Sequence, residues 1–310
     1  MSLLRNNIII GTRESALALW QAEYVQNQIM FRYSRQQADL LPITTKGDKV
    51  LDRSLAEIGG KGLFIKELEE ALLDGRIDVA VHSLKDMPAD LPEGLAIAAV
   101  TSREDPRDAF VSKKYRRFED LPPHAKVGTS SLRRQAQLLH VRPDLDIIPL
   151  RGNVNTRIRK LDEGEYDAII LAAAGLKRLG MVTRITQFMP FDILLPAAGQ
   201  GVMAVEVRKD DRELFDMLRF LHDYEESCCV RSERAFLGKV GGDCRVPAGV
   251  HASFERPGYM KVEGVIASLD GKDLVRRTVK GTVGKAAEMG STLAQMLLDE
   301  GGADILKSIE

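Results

Sequence analysis

The sequence is poor in cysteine and has no excess of charge of either sign. Its three cysteines are Cys228, Cys229 and Cys244, an odd number with two of them adjacent. This pattern fits neither a disulfide framework nor a zinc site with paired ligand spacing, so we expect a reduced, cytoplasmic compartment. The 44 Lys and Arg residues against 45 Asp and Glu residues give a net charge of -1. That balance argues against a dedicated nucleic-acid-binding protein, because such proteins usually carry a basic excess.

Long apolar runs are also missing. The longest, residues 168–176, is far shorter than the ~20 residues that a membrane-spanning helix needs. Residues 1–10 carry only a short apolar stretch before a strand-like pattern begins, so we expect neither a secretory signal nor a membrane partner. Hydrophobic residues make up 44% and charged residues 29% of the chain, a composition that is typical of a folded globular protein. The length of 310 residues indicates two or three domains.

Short apolar runs alternate with amphipathic stretches through the first two thirds of the chain. Strands alternating with helices predict βαβ units and a mainly parallel sheet, and a charged segment at residues 101–107 separates two such series. Residues 202–207 read as one more strand, which would return to the first domain, and residues 212–237 as a long amphipathic helical stretch. Asp270 and Gly271, between two strand-like runs, indicate a hairpin. The last third is therefore predicted to be a small α+β domain with an antiparallel sheet.

Basic residues recur just after the predicted strands. In an open α/β sheet the crevice beyond the carboxyl ends of the strands is the ligand site, and helix N-termini there favour anions. For any one arginine, a solvated surface charge is the simpler interpretation. The whole set predicts a pocket for a polyanion, because unpaired buried cations are costly and guanidinium groups hold carboxylates bidentately. The set is Arg13, Lys85, Arg133, Arg134, Arg151, Arg157 and Arg178, to which Thr129, Ser130 and Ser131 add hydroxyl donors.

Three further residues have the chemistry of a site. Asp86 lies within the basic set, where a carboxylate stays ionised and can stabilise a cation or move a proton, although a turn residue is an equal alternative. Cys244 follows two glycines at residues 241–242 and precedes Arg245, which would lower the thiol pKa; a small buried hydrophobe is the alternative. His82, at the end of a strand without metal-spaced partners, is interpreted as a packed or hydrogen-bonded residue.

Long motifs then occur in a characteristic order. Together with the Cys244 loop they resemble the hydroxymethylbilane synthase family, also called porphobilinogen deaminases, over essentially the whole chain. The motifs are GGKGLF at 59–64, VHSLKDMP at 81–88, GTSSLRRQ at 128–135, LRGNVNTR at 150–157, AGLKRLG at 174–180 and PAAGQG at 196–201.

The resemblance implies an α/β fold of two periplasmic-binding-protein-like domains with mainly parallel sheets, plus a small α+β C-terminal domain. Domain 1 would comprise residues 1–101 and 202–219 and carry the catalytic aspartate. Domain 2 would comprise residues 107–195 and bind cofactor and substrate through its arginines. Domain 3 would comprise residues 222–310 and carry the cysteine loop. A monomer is expected from the family.

The family is a group of transferases in tetrapyrrole biosynthesis. Its members condense four porphobilinogen molecules head to tail with loss of ammonia, and then release hydroxymethylbilane by hydrolysis. The chain grows on a dipyrromethane cofactor, which the resemblance places on Cys244 through a thioether. Asp86 would stabilise positive charge as ammonia leaves, and no metal is implied. Each pyrrole carries an acetate and a propionate, so the growing chain is the polyanion that the arginines require.

The resemblance also assigns the remaining site residues. Lys61 and Phe64 would belong to a mobile lid at residues 45–63. Glu57 stands where many relatives have lysine, so the role of that lysine in the lid does not transfer. Asp243 precedes Cys244 where glycine is common; this acidic neighbour would disfavour the thiolate and slow attachment, with Arg245 compensating. Residues that would bind cofactor or substrate are Arg13, Ser15, Ser83, Lys85, Thr129, Ser130, Ser131, Arg133, Arg134, Arg151, Arg157, Arg178 and Gln200.

Two other functions are compatible with parts of the pattern. A non-catalytic two-domain carboxylate-binding protein would explain the arginines and the fold, but it leaves Cys244 and Asp86 without a role. A cysteine-nucleophile hydrolase is weaker, because no histidine with a supporting carboxylate is evident near Cys244 in the sequence. Release of ammonia from porphobilinogen separates the enzyme from a binding protein.

Overall fold

A computed structural model describes residues 7–45, 47, 65–241 and 246–309. Three residues that the family resemblance singled out, Cys244 and the lid residues Lys61 and Phe64, lie outside the described residues. So do Glu57 and Asp243.

The helices and strands follow one another as the alternating pattern predicts. Up to residue 103 they are β1 (Ile8–Thr12), α1 (Ala16–Arg32), β2 (Ala38–Pro42), α2 (Lys66–Leu73), β3 (Val79–Ser83) and β4 (Leu95–Val100). From residue 104 to 201 they are β5 (Asp108–Val111), β6 (Lys126–Gly128), α3 (Leu132–Val141), β7 (Asp146–Ile148), α4 (Val154–Asp162), β8 (Ala168–Ala172), α5 (Ala173–Arg178) and β9 (Gln187–Phe188). After residue 201 they are β10 (Met203–Arg208), α6 (Arg212–Leu218), α7 (Tyr224–Lys239), β11 (Ala248–Arg256), β12 (Tyr259–Ala267), β13 (Leu274–Thr282), α8 (Ala286–Leu297) and α9 (Ala303–Lys307).

The chain divides into two compact units. One comprises Met1–Arg103 and Val202–Ser227, and the other Glu104–Gly201 and Cys228–Glu310. The second unit contains two sheets and the first unit one. The predicted division into three domains, with its boundaries, stays a prediction.

The first unit contains a five-stranded sheet in the order β2-β1-β3-β10-β4. Strand β1 is parallel to β2 and β3, whereas β10 runs antiparallel to β3 and β4, between which it lies. The strand after residue 201 therefore does return to the first sheet, as predicted. Helix α1 buries Ala18, Ala22, Val25 and Ile29, whose spacing of three or four residues places them on one helix face.

The second unit contains a sheet in the order β7-β6-β8-β5-β9. Strands β7, β6 and β8 are parallel, and β5 runs antiparallel to β8 and β9. Alternate residues of β5 pack into two different hydrophobic clusters, Phe110 on one face of the sheet and Ala109 and Val111 on the other. Both faces of the sheet are covered by apolar packing, as in other α/β proteins. The predicted α/β class is confirmed, and each five-stranded sheet is mixed.

The C-terminal part of the second unit is the predicted α+β structure. Strands β11, β12 and β13 form an antiparallel sheet, with Phe236 of α7 and Leu293 of α8 in its core. The Asp270-Gly271 hairpin is confirmed by a hydrogen bond of 2.8 Å from Ser268 N–H to Asp273 O. Gly271 has φ +74°, a conformation that glycine adopts without strain.

The predicted helical stretch at residues 212–237 is broken between α6 and α7. There the chain is held to the end of β4: Asp223 N–H donates to Val100 O at 2.8 Å, and Val100 N–H donates to His222 Nδ1 at 3.3 Å. The carboxylate of Asp223 also accepts from Glu226 N–H at 3.0 Å, which caps the first turn of α7. Tertiary hydrogen bonds thus override a continuous amphipathic pattern. Among the described residues, no helix is long and apolar enough to cross a membrane.

Close packing of α8 on α7 depends on Gly290. A Cβ atom at this position would overlap the carbonyl oxygen of Ser232. We expect Gly290→Ala to lower the free energy of unfolding by about 2–3 kcal/mol, because the two helix backbones would have to separate. Gly284→Ala is the control, since nothing lies within 4 Å of its Cβ position. Urea denaturation of both variants checks this; equal stabilities would contradict it.

Candidate anion-binding site

In the first unit, the predicted site residues follow two neighbouring parallel strands. Arg13 and Ser15 come after β1, and Ser83, Lys85 and Asp86 lie at or after the end of β3. The carboxyl ends of parallel strands meet at one edge of a sheet, so the placement predicted from the sequence is confirmed. Ser15 caps α1 by accepting from Ala18 N–H at 3.3 Å, which brings a helix N-terminus to the same edge.

Asp86 lies in a single 3-10 turn, Leu84–Asp86, directly after β3. The turn is anchored by buried Leu84, whose N–H donates to Val202 O at 3.0 Å, and by buried Met87. The Asp86 side chain is partly exposed. Within the described residues, no hydrogen bond or ion pair engages its carboxylate. The local fold thus presents an acid on a turn that is held in place by buried neighbours.

Polar contacts support β3 behind this turn. Gln21 of α1 donates to Ser83 Oγ at 2.9 Å. His82 Nε2 lies 3.0 Å from Glu206 Oε2 of β10, and both side chains are buried. The interpretation of His82 as a hydrogen-bonded residue is therefore confirmed. Burial, together with the charge of Glu206, raises the pKa of nearby Glu69 to about 7, against the opposing effect of His82.

In the second unit, three neighbouring parallel strands carry the remaining residues. Residues 129–131 follow β6, Arg151 follows β7, and Arg178 ends the short helix that follows β8. Two helices begin at this edge: Ser131 caps α3 and Asn153 caps α4, each by accepting from a backbone N–H. Their free N–H groups and dipoles add to the positive potential of the arginines.

The three hydroxyl groups after β6 have different capacities to bind a ligand. Ser130 Oγ donates to Leu150 O at 2.9 Å and accepts from Leu150 N–H at 3.0 Å. Thr129 Oγ1 accepts from Ser131 N–H at 3.2 Å, and Ser131 Oγ accepts from Arg134 N–H at 3.4 Å. Among the residues that the structure describes, Thr129 and Ser131 act only as acceptors, so their hydroxyl protons are not used there, whereas the proton of Ser130 is used within the fold.

Two of the predicted arginines meet at a buried carboxylate. Arg133 Nη1 lies 2.8 Å from Asp108 Oδ2 and also donates to Leu195 O at 2.6 Å. Arg134 donates to Asp108 Oδ1 through Nε at 3.1 Å and Nη2 at 2.7 Å, and to Ile170 O through Nη1 at 2.9 Å. Asp108 is 0% exposed, Arg133 4% and Arg134 6%. These three side chains form what we call the Asp108 cluster.

The charges of the Asp108 cluster do not cancel. Burial by itself would raise the pKa of Asp108, but the charges and hydrogen bonds of Arg133 and Arg134 hold it well below its ordinary value of 3.8. One carboxylate faces two guanidinium groups, which leaves an excess of one positive charge among the three side chains. Gln200 completes the surroundings, since its Nε2 donates to Asp108 Oδ1 at 3.0 Å and to Pro106 O at 2.7 Å.

The other arginines are less enclosed. Arg13, Arg151, Arg157 and Arg178 are all partly exposed. Arg157 Nε donates to Gly152 O at 2.7 Å, and Arg178 Nη2 donates to Gly201 O at 2.7 Å. These contacts with backbone carbonyls orient the guanidinium groups of Arg157 and Arg178. Their role as ligand-binding residues stays a prediction.

Sequence reasoning missed Asp108. It follows a charged segment with a proline, where an aspartate resembles any turn residue. The sequence does contain a signal for Asp108: it is the first residue of an apolar strand. A charged residue at such a position is buried only if it is paired with an opposite charge. No group of three or more metal-ligating side chains exists within the described ranges. The donors are cationic, hydroxyl and backbone N–H groups, which suit carboxylates.

Fold and site together define the class: an α/β protein that presents basic side chains and helix N-termini for a carboxylate-rich ligand. Residues 8–216 match the family model "Porphobilinogen deaminase, dipyromethane cofactor binding domain". Residues 227–299 match "Porphobilinogen deaminase, C-terminal domain". The chain belongs to the porphobilinogen deaminase family, as its motifs predicted, and contains that family's dipyrromethane-binding domain.

Relatives match nearly end to end. The porphobilinogen deaminase of Pelobacter propionicus is 50% identical over 300 residues, which is 97% of this chain and 96% of that protein. The one of Geobacter sulfurreducens is 49% identical over 304 residues, or 98% and 95%. Among solved structures, a periplasmic substrate-binding protein of an ABC transporter from Coxiella burnetii has 15% identity and a TM-score of 0.45, covering 70% of this chain and 92% of that one.

The Asp108 cluster makes a prediction about stability. We expect Asp108→Asn to lower the free energy of unfolding by about 3–5 kcal/mol at pH 7, because two buried guanidinium groups lose their counter-charge. Asp162→Asn, which breaks the partly exposed pair with Arg184, should cost at most about 1 kcal/mol. Equal losses in urea denaturation would contradict the assigned role.

The same experiment has a pH signature. The pKa of Asp108 is lowered in the folded state, so its stabilising effect is complete above the unfolded pKa of about 4 and is lost as pH falls through the folded value. The stability difference between wild type and Asp108→Asn should therefore be constant from about pH 7 to 5 and shrink below about pH 4.

Proposed function

We propose that this protein is a hydroxymethylbilane synthase, a transferase that condenses four porphobilinogen molecules head to tail with loss of ammonia and then hydrolyses the product free. The observation that carries the proposal is that, in each unit, basic residues follow the carboxyl ends of neighbouring parallel strands. The chain also matches its relatives almost end to end. Porphobilinogen bears two carboxylates, so each addition brings negative charge that the arginines can hold bidentately.

The dipyrromethane cofactor supplies a primer to which the first porphobilinogen is added. We propose Cys244 as its attachment residue, through a thioether. The donor set after β6 and β7 fits the carboxylates of such a group: it includes the net positive Asp108 cluster and the hydroxyls of Thr129 and Ser131. Arg151, Arg157 and Arg178 complete the proposed set in the second unit. Ser130 and Gln200, which were also predicted to bind the ligand, donate within the fold, so we propose that they support this set. In the first unit the proposed set is Arg13, Ser15, Ser83 and Lys85.

Asp86 is the proposed catalytic residue. When the carbon–nitrogen bond of porphobilinogen breaks with its amino group in the ammonium form, ammonia leaves with the electron pair of that bond, and the positive charge remains on the pyrrole. The Asp86 carboxylate stands on a turn that buried neighbours hold in place, so it can stabilise that charge and the pyrrole N–H without reorganisation. Attack by the next pyrrole carbon forms the new bond, and loss of a proton restores the ring.

We further propose a cytoplasmic monomer that acts on a small molecule without a nucleic-acid or membrane partner. The cysteine pattern and the balanced charge support the compartment and the absence of nucleic acid. The three domains predicted above are proposed as well, with Lys61 and Phe64 in a lid that covers the substrate.

Intact mass tests the attachment. We expect the purified protein to carry a mass excess of two linked pyrroles and to release ammonia from porphobilinogen. Cys244→Ser should lose both, whereas Cys229→Ala, at a buried cysteine of α7, should keep both. An unmodified wild-type chain that still forms hydroxymethylbilane would contradict the attachment. Binding of porphobilinogen without ammonia release would support the alternative, a non-catalytic carboxylate-binding protein.

Substitution of Asp86 tests the chemistry. We expect Asp86→Asn to fold and to bind porphobilinogen but to lose about 100-fold or more in kcat, because a neutral amide does not stabilise the developing cation. Asp90→Asn is the matched control, an exposed acid four residues further along, and should retain normal turnover. Steady-state ammonia release measures both, and normal turnover in Asp86→Asn would remove Asp86 from the mechanism.

A further inference from the structure

A second buried carboxylate lies in the second unit, and none of the roles described above uses it. Glu233, in the middle of α7, is 0% exposed. Its Oε2 accepts from Gly199 N–H at 2.7 Å and its Oε1 from Ala252 N–H at 2.9 Å. His251 Nδ1 lies 3.7 Å from Oε1. A buried carboxylate that binds two separate chain segments in this way constrains both of them.

The first segment is residues 195–201, which borders the Asp108 cluster. Leu195 O accepts from Arg133, and Gln200 donates to Asp108. Between them, Gly199 has φ +71°, so the turn that points its N–H at Glu233 requires glycine. The hydrogen bond from Gly199 to Glu233 therefore acts on the same seven-residue segment that contacts the arginines.

The second segment is β11, which contains Ala252. In the chain, Cys244 lies between α7, which contains Glu233, and β11. The Glu233–Ala252 bond ties these two elements together, and buried Val240 and Val250 pack in the same core. Both elements that flank the cysteine are thus joined to the segment beside the arginines by one side chain.

We infer that Glu233 is a positioning residue for the cofactor: it fixes the elements that flank Cys244 to the segment held by the Asp108 cluster. The inference rests on the proposed function. A thioether and several carboxylate contacts must form on one small molecule, so the attachment point and the anion-binding side chains need a fixed separation. Small errors in such a separation reduce rates strongly.

Glu233→Gln is the informative substitution because it preserves the shape. An amide has one carbonyl oxygen and one NH2 group, so it can accept from either Gly199 or Ala252 but opposes the other N–H with a donor. Glu233→Asp keeps the charge but shortens the reach. Glu263→Gln is the control: it removes the negative charge that pairs with Arg276 in the three-stranded sheet to which Ala252 also belongs, without touching residues 195–201.

The test measures cofactor content and kinetics together. Apo protein of each variant is incubated with porphobilinogen, and the fraction carrying the two-pyrrole mass excess is followed by intact mass spectrometry. We expect attachment to Glu233→Gln to be about tenfold slower or more, with kcat of the loaded fraction lowered about tenfold and KM changed less than about twofold. Glu233→Asp should show the same defects to a lesser degree, and Glu263→Gln neither.

A purely structural role gives a different result. In that case Glu233→Gln lowers the midpoint of urea unfolding, but its folded fraction takes up cofactor and turns over at the wild-type rate, which would overturn the inference. If Glu233→Gln does not fold, normal attachment and turnover in Glu233→Asp overturn it instead. Failure of wild type and Glu263→Gln to acquire the mass excess would refute the proposed function itself.

Discussion

The ion pairs of Asp108 with Arg133 and Arg134 are the interaction on which the second unit depends. Burying a guanidinium group costs desolvation free energy. Here that cost is offset by one carboxylate with contacts of 2.7 to 3.1 Å and by backbone carbonyls. The cluster joins the first strand of the unit to helix α3 and to residues 195–201. Because it remains positively charged, it is a scaffold and an anion-attracting centre at once.

Two aspartates near basic residues have opposite environments. Asp108 is fully buried and bound, whereas Asp86 is partly exposed, and no described side chain binds it. A fully buried carboxylate that is paired with two guanidinium groups is closed to a ligand, whereas a partly exposed one can meet a cation that forms and disappears during a reaction. Residue type alone does not separate these cases. Burial and hydrogen bonding do: they give Asp108 a structural role and are compatible with the catalytic role proposed for Asp86.

Local signals predicted much of the fold. The Asp270-Gly271 hairpin and the strand ends that carry Arg13, Lys85 and Arg151 follow from short-range physics, and the structure confirms them. The interruption between α6 and α7 was not predictable, because it depends on hydrogen bonds to β4, more than a hundred residues earlier in the chain. The same holds for the His82–Glu206 and Glu233–Gly199 contacts, whose partners are far apart in sequence.

The pairing of β10 with strands from the start of the chain has a consequence for how the protein folds while it is being translated. Strand β4 borders only β10 in its sheet, and β10 begins at Met203. When residues 7–103 leave the ribosome, β3 and β4 therefore lack the strand that joins them, and the backbone edge of β3 stays unpaired until a further hundred residues have been translated. Domains tend to fold as units in order of synthesis. Here the amino-terminal sheet is completed only by a strand made a hundred residues later, and until then the unpaired edge of β3 is a template on which another strand can pair.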